Sequence, residues 1–130
     1  MNLEINILVV LTIIFIHFIA DFVLQTHWQA SNKSKDWIAL LSHTGVYTLC
    51  WIPFCFLNFG SNLVLNMSFL FITLISHTVT DYYTSRLNAR LYEKGEIHNF
   101  FVSVGFDQFL HYAQLLITYQ ILKNYYGTIE

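Results

Sequence analysis

The chain has 130 residues, of which 55% are hydrophobic, 18% aromatic and only 11% charged, and its formal net charge is −2. A water-soluble domain carries about 25% charged residues, so a fully solvated surface is hard to assemble from this composition. The near-neutral balance excludes the basic footprint of a nucleic-acid binder, and the length suits one domain over residues 1–130.

Four apolar stretches follow one another. The first, about residues 5–25, carries no charge before Asp21. It lacks the basic start and small-residue cleavage site of a signal peptide and reads as a retained span. His17 and Asp21 lie four residues apart in it, and Gln25 extends their face. The polar loop 31–36 leads to the second stretch, residues 37–59, which carries His43 and, one turn on, Tyr47. Pro53 is expected to kink this span or to mark its outer end. Cys50 and Cys55 form no CxxC and fall on different helix faces, so they read as apolar fillers. An uncharged turn at 58–62 precedes the third stretch, residues 63–84, with His77 and Asp81. The pattern from Arg86 to Tyr92 predicts that this helix continues past the membrane surface. The fourth stretch, residues 99–122, carries Asp107 and His111, with Ser103 before them, Gln108 beside Asp107 and Gln114 beyond.

Each stretch is near the ~20 residues that cross about 30 Å of hydrocarbon. The expected fold is therefore an all-α membrane protein, a four-transmembrane-helix bundle. Lys33 and Lys35 follow the first span, Arg86, Arg90 and Lys94 follow the third, and only Lys123 lies on the other side. This imbalance puts both loops in the cytoplasm and both termini on the same, non-cytoplasmic side. Trp28, Trp37, Tyr82 and Tyr83 fall at the cytoplasmic boundaries, where amphipathic rings sit. His27 and His98 read as interfacial polar residues.

Residues four apart share a helix face, so each His/Asp pair aims both side chains one way. Counted inward from the cytoplasmic ends, His17, Asp21, His43, His77, Asp81, Asp107 and His111 fall in a slab on the order of 10 Å thick. A lone intramembrane histidine is more often a hydrogen-bonded core residue than a ligand. Three carboxylates in hydrocarbon change that balance, because uncompensated they cost roughly 8–10 kcal/mol. A divalent cation neutralises them and binds neutral imidazole. All seven residues are candidate ligands for one or two ions, zinc first and manganese or iron as alternatives. Gln25, Tyr47, Gln108 and Gln114 are candidates for orienting those ligands.

The segment His17-Phe18-Ile19-Ala20-Asp21-Phe22-Val23-Leu24-Gln25 resembles the H-x-x-x-D-F-x-x-Q opening of a family of small bacterial and phage membrane proteins, domain of unknown function 3307. Ser42-His43, His77-x-x-x-Asp81 and Asp107-Gln108-x-x-His111 resemble its later motifs in the same order. The pattern is also similar to that of inner-membrane metal-dependent hydrolases. The resemblance implies a bacterial inner (plasma) membrane location, or a phage-encoded protein targeted to the host membrane.

The expected function is a membrane-embedded metal-dependent hydrolase. Asp21, Asp81 and Asp107 supply ligands or a general base, and the substrate is a lipid-linked phosphate or lipid ester reached from the cytoplasmic leaflet. No H-E-x-x-H or G-x-S-x-G occurs, which removes zincin-type proteases and serine lipases. Three other readings compete. An ion or proton carrier would need an oligomer, since four helices enclose little lumen. A di-iron oxidative enzyme usually shows more histidines. A membrane module would use the polar network only for packing. The bilayer is the expected partner, with a homo-oligomer as a further option and no nucleic acid.

Overall fold

Short polar side chains open most of the helices. The computed structural model describes residues 6–127, so Ile5, the expected start of the first span, lies outside them. Asn6 caps α1 (Ile7–Phe18) and Thr26 caps α2 (His27–Asn32), where Thr26 and Gln29 form a reciprocal capping box. Asp36 caps α3 (Trp37–Leu49). After α4 (Ile52–Phe59), Asn62 caps α5 (Leu63–Glu93), and α6 runs from Ile97 to Tyr126. Each capping oxygen accepts a first-turn N–H that has no partner inside its helix. Every regular element among the described residues is helical.

Two features depart from an unbroken pattern. The first helix ends in a π-helical turn, Ile19–Val23, in which Leu24 N–H donates to the Ile19 carbonyl at 2.9 Å. The turn inserts one extra residue in the segment that carries Asp21, a device common at functional sites. The second expected span is two helices. The chain breaks at Cys50 and Trp51, and Pro53 is the second residue of α4. A proline there gives up an N–H that the first turn cannot use, so Pro53 starts a helix in mid-span rather than ending the span. α2 likewise takes up part of the expected polar loop. Both cysteines are free, with Cys55 buried and Cys50 half-buried.

By length and composition, Trp37–Phe59 (23 residues, taken across the break) and Leu63–Glu93 (31 residues) suffice to cross a membrane, while Ile7–Val23 is a shorter apolar stretch. At 1.5 Å per residue α5 is about 46 Å long, beyond the hydrocarbon thickness. α6 is nearly as long, but Asp107, Gln108, His111 and Gln114 lower its hydropathy.

α5 and α6 form the main antiparallel pair, and α3 packs on α5. Gly95, at φ +72°, makes the turn between α5 and α6: its N–H donates to Tyr92 O at 3.0 Å and Glu96 N–H to Leu91 O at 2.9 Å. Those are the two bonds of a Schellman motif, which needs a left-handed residue best supplied by glycine. The hairpin fixes the register. His77 and His111, like Asp81 and Asp107, are each equidistant from residue 94, so antiparallel pairing brings both pairs to one level. Away from this turn, Tyr47, Trp51, Phe54, Phe59, Phe69, Leu115 and Tyr119 form an aromatic-rich core.

The burial pattern is inverted relative to a water-soluble bundle. His17, His43, His77, Asp81 and His111 are each at most 1% exposed, whereas Leu57 is 84%, Val64 72% and Ile38 71% exposed.

Candidate metal centre

The π-turn, α3, α5 and α6 each deliver polar side chains to one buried point. Within the helices, the three four-residue spacings act as their geometry requires. His17 Nε2 lies 3.6 Å from Asp21 Oδ2, His77 Nε2 3.7 Å from Asp81 Oδ2, and His111 Nε2 3.4 Å from Asp107 Oδ1. Contacts between helices are shorter. His43 Nε2 is 3.0 Å from Asp21 Oδ1, and His111 Nε2 is 3.2 Å from Asp81 Oδ1.

The imidazoles also face one another. His77 Nε2 is 3.2 Å from His43 Nε2, and His77 Nδ1 is 3.1 Å from His111 Nδ1. His43 Nε2 thus has two carboxylate oxygens, at 3.0 and 3.3 Å, and a second ring nitrogen within 3.3 Å. One proton on that nitrogen cannot serve all three, because a ring nitrogen carries a single N–H or a single lone pair. A central cation would serve them together. Asp21, His43, His77 and Asp81 each offer a donor atom, all within 4.8 Å of one another, and Asp21, Asp107 and His111 form a second such group. Donors around a tetrahedral ion bound at about 2.0–2.1 Å lie roughly 3.3–3.4 Å apart, close to the separations seen here. Two nitrogens and two oxygens suit zinc and other first-row divalent ions. Asp21 belongs to both groups, as a carboxylate shared by two ions would.

Six of the seven candidate ligands fall in these two groups, and His17 does not. Gln108 Nε2 donates to Asp107 Oδ2 at 3.0 Å and to Asp21 Oδ2 at 3.3 Å, which fixes the orientation of its amide. Its Oε1 therefore accepts from His17 Nε2–H at 2.7 Å, and His17 Nδ1 accepts from the Tyr47 hydroxyl at 2.8 Å. Both nitrogens of His17 are engaged, and His17 stands outside both donor groups. Tyr47 also stacks on His77, with ring centroids 3.6 Å apart and planes 6° from parallel. Gln25 Nε2 is buried without a hydrogen-bond partner among the described residues, and Gln114 donates to Thr118 Oγ1 at 3.1 Å, one turn along α6.

Two participants were not singled out in the sequence. Lys33 Nζ lies 2.7 Å from Asp81 Oδ2 and is 18% exposed. Burial opposes its charge, but the carboxylates of Asp81 and Asp21 outweigh that and hold its ammonium above the ordinary lysine range. Thr84 donates to Asp107 Oδ1 at 2.6 Å. It continues the α5 stripe of Thr73, His77 and Asp81, and helical spacing would have found it. Lys33 had no such signal, because only the folding of α2 brings the loop over the cluster. With neutral imidazoles, the acids Asp21, Asp81 and Asp107 set against Lys33 leave two negative charges, the amount that one divalent cation cancels.

A family model described as a protein of unknown function (DUF3307) matches residues 7–129, and the chain belongs to that family. No curated protein and no solved structure was found to match it.

Proposed function

We propose that this family member is a membrane-embedded, metal-dependent hydrolase of lipid-linked phosphates or esters. The observation that carries the reading is the convergence of Asp21, His43, His77 and Asp81 on one buried point, with a further acid, Asp107, beside it. In this reading all four apolar stretches span the bilayer and both termini lie outside the cytoplasm. The large exposed apolar side chains on every long helix favour a lipid surround, since a soluble monomer rarely exposes so much contiguous apolar surface.

Asp21, His43, His77 and Asp81 would hold a divalent ion, zinc first, which supplies Lewis acidity and a water of lowered pKa. The chain's own groups do the rest. Asp107 is the least buried of the three acids, at 9% exposed against 5% for Asp21 and 1% for Asp81, and it belongs to the second donor group, with Asp21 and His111, rather than to the four-residue group taken here to hold the ion. In this reading it takes the proton of the attacking water and passes it to the leaving alkoxide oxygen as the ester bond to phosphorus or carbonyl carbon breaks. Thr84 and Gln108 hold its two oxygens apart and aimed. His17 and Tyr47 lock Gln108 in turn.

The test is release of inorganic phosphate or fatty acid from lipid substrates by the purified protein in nanodiscs. We expect hydrolysis that needs added zinc or manganese and that falls 10²–10⁴-fold, the scale of a lost general base, in Asp107→Asn while bound metal stays. Metal-loaded protein that hydrolyses neither class contradicts the reading. The Lys33–Asp81 pair favours a second reading, a packing network part-neutralised by its own lysine. A wild-type protein that folds and binds no metal selects it.

A further inference from the structure

Beside the buried cluster, a cavity of about 340 Å³ opens between the loop after α2 and the far end of α5. Its volume is within the roughly 300–1,000 Å³ of small-ligand sites. Lys33, Ser34 and Lys35 line one side, and Ser85 and Asn88 the other. Lys33 belongs to both places, since its Nζ also touches Asp81. A second cavity of about 260 Å³ shares Ser34, Lys35 and Glu93 with the first and adds Arg86 and Arg90. Four cations thus surround the opening, against the single acid Glu93.

The polar atoms of the wall are under-used. Ser85 Oγ and Asn88 Oδ1 are buried with no hydrogen-bond partner among the described residues. Buried polar groups are ordinarily paired, and leaving one unpaired is unfavourable. A half-turn of the Asn88 amide presents its NH₂ at the same place. Serine hydroxyl, amide N–H and ammonium are together the donor set of a phosphate site. Tyr92 and Phe100, ring centroids 5.7 Å apart, add an apolar wall.

We propose that this cavity binds a phosphate group, as the dianionic head of a lipid phosphomonoester or of a soluble phosphate. Lys35, Ser85 and Asn88 are its donors, and Lys33 joins it to the Asp81 side of the cluster. The proposal rests on the hydrolase reading for the chemistry after binding. It narrows the substrate from phosphate or ester to phosphate, because a neutral carboxylic ester gives Lys35 no charge to meet and offers Ser85 and Asn88 no anionic oxygens.

The experiment measures equilibrium binding of inorganic phosphate to the purified full chain. In parallel it compares nanodiscs of phosphatidylcholine with and without phosphatidic acid. Wild type is expected to bind phosphate in at least one arm. The phosphatidic-acid arm alone identifies a lipid source, and the inorganic arm alone a soluble one. The double variant Lys35→Ala/Ser85→Ala is expected to weaken binding at least about tenfold, the scale of one charge-assisted hydrogen bond. Asn88→Asp, nearly unchanged in shape, is expected to abolish it by like-charge repulsion. Helix content and bound zinc stay at wild-type levels in both variants. No binding in either arm, or wild-type binding by both variants, overturns the site. Phosphate binding by a chain that holds no metal keeps the site and removes the hydrolase reading, so the two fail separately.

Discussion

At the scale of single residues, Lys33 is the chain's own rival to a metal. Its ammonium lies 2.7 Å from Asp81 Oδ2, so any cation bound by Asp81 meets a like charge beside it. Lys33→Met removes that repulsion and also strips Asp81 of its partner in the metal-free protein. Breaking a buried pair on one side is costly, though the partial exposure of Lys33 reduces the effect. Both changes have the same sign for metal-linked stability. The rise in Tm on adding zinc is therefore expected to be larger in Lys33→Met than in wild type, read by thermal unfolding of the detergent-solubilised protein. An equal or smaller rise contradicts this role. The three His/Asp pairs were legible from spacing alone, because a helix turns side chains four apart to one side. The separate duty of His17 was not legible. It depends on Gln108, which helical spacing turns away from Asp107 but which the crossing of α1 and α6 returns to the same cluster.

At the scale of elements, the hairpin of α5 and α6 sets the register on which the site depends. Gly95 holds a left-handed conformation, and a Cβ there would meet nothing within 4 Å. The cost of Gly95→Ala is then purely that of the backbone, about 1–2 kcal/mol. A fall in Tm is expected, with metal content of the surviving folded protein unchanged. An unaltered or raised Tm would mean the turn does not need that conformation. The continuation of α5 to Glu93 was readable from its charged helical pattern. The π-turn at Ile19–Val23 was not, since the run Ile-Ala-Asp-Phe-Val carries no residue that marks a change of hydrogen-bond register, and the break at Cys50–Trp51 was signalled only by Pro53, the second residue of the helix that follows it.

At the scale of the whole molecule, a cluster of histidines and acids shares the interior with an aromatic core, while many large apolar side chains face outward. Composition made that legible, because 11% charged residues cannot cover a solvated surface. The proposed orientation comes from the basic residues of two loops. In a cysteine-free background, a cysteine at Lys94 is expected to resist an impermeant thiol reagent added to intact cells and to react after lysis. Labelling from outside reverses the orientation and moves the cavity to the opposite face.

The most direct measurement is the divalent-metal content of the purified chain by mass spectrometry, beside Asp21→Asn and His77→Gln. Wild type is expected to retain about one zinc or manganese ion per chain, the charge that three acids and one lysine leave to be cancelled. Both variants, close to the originals in size, are expected to lose at least tenfold, roughly the scale of what even an orienting partner costs. A folded wild-type protein without metal, or variants that retain it fully, would contradict the assignment of these buried side chains as ligands.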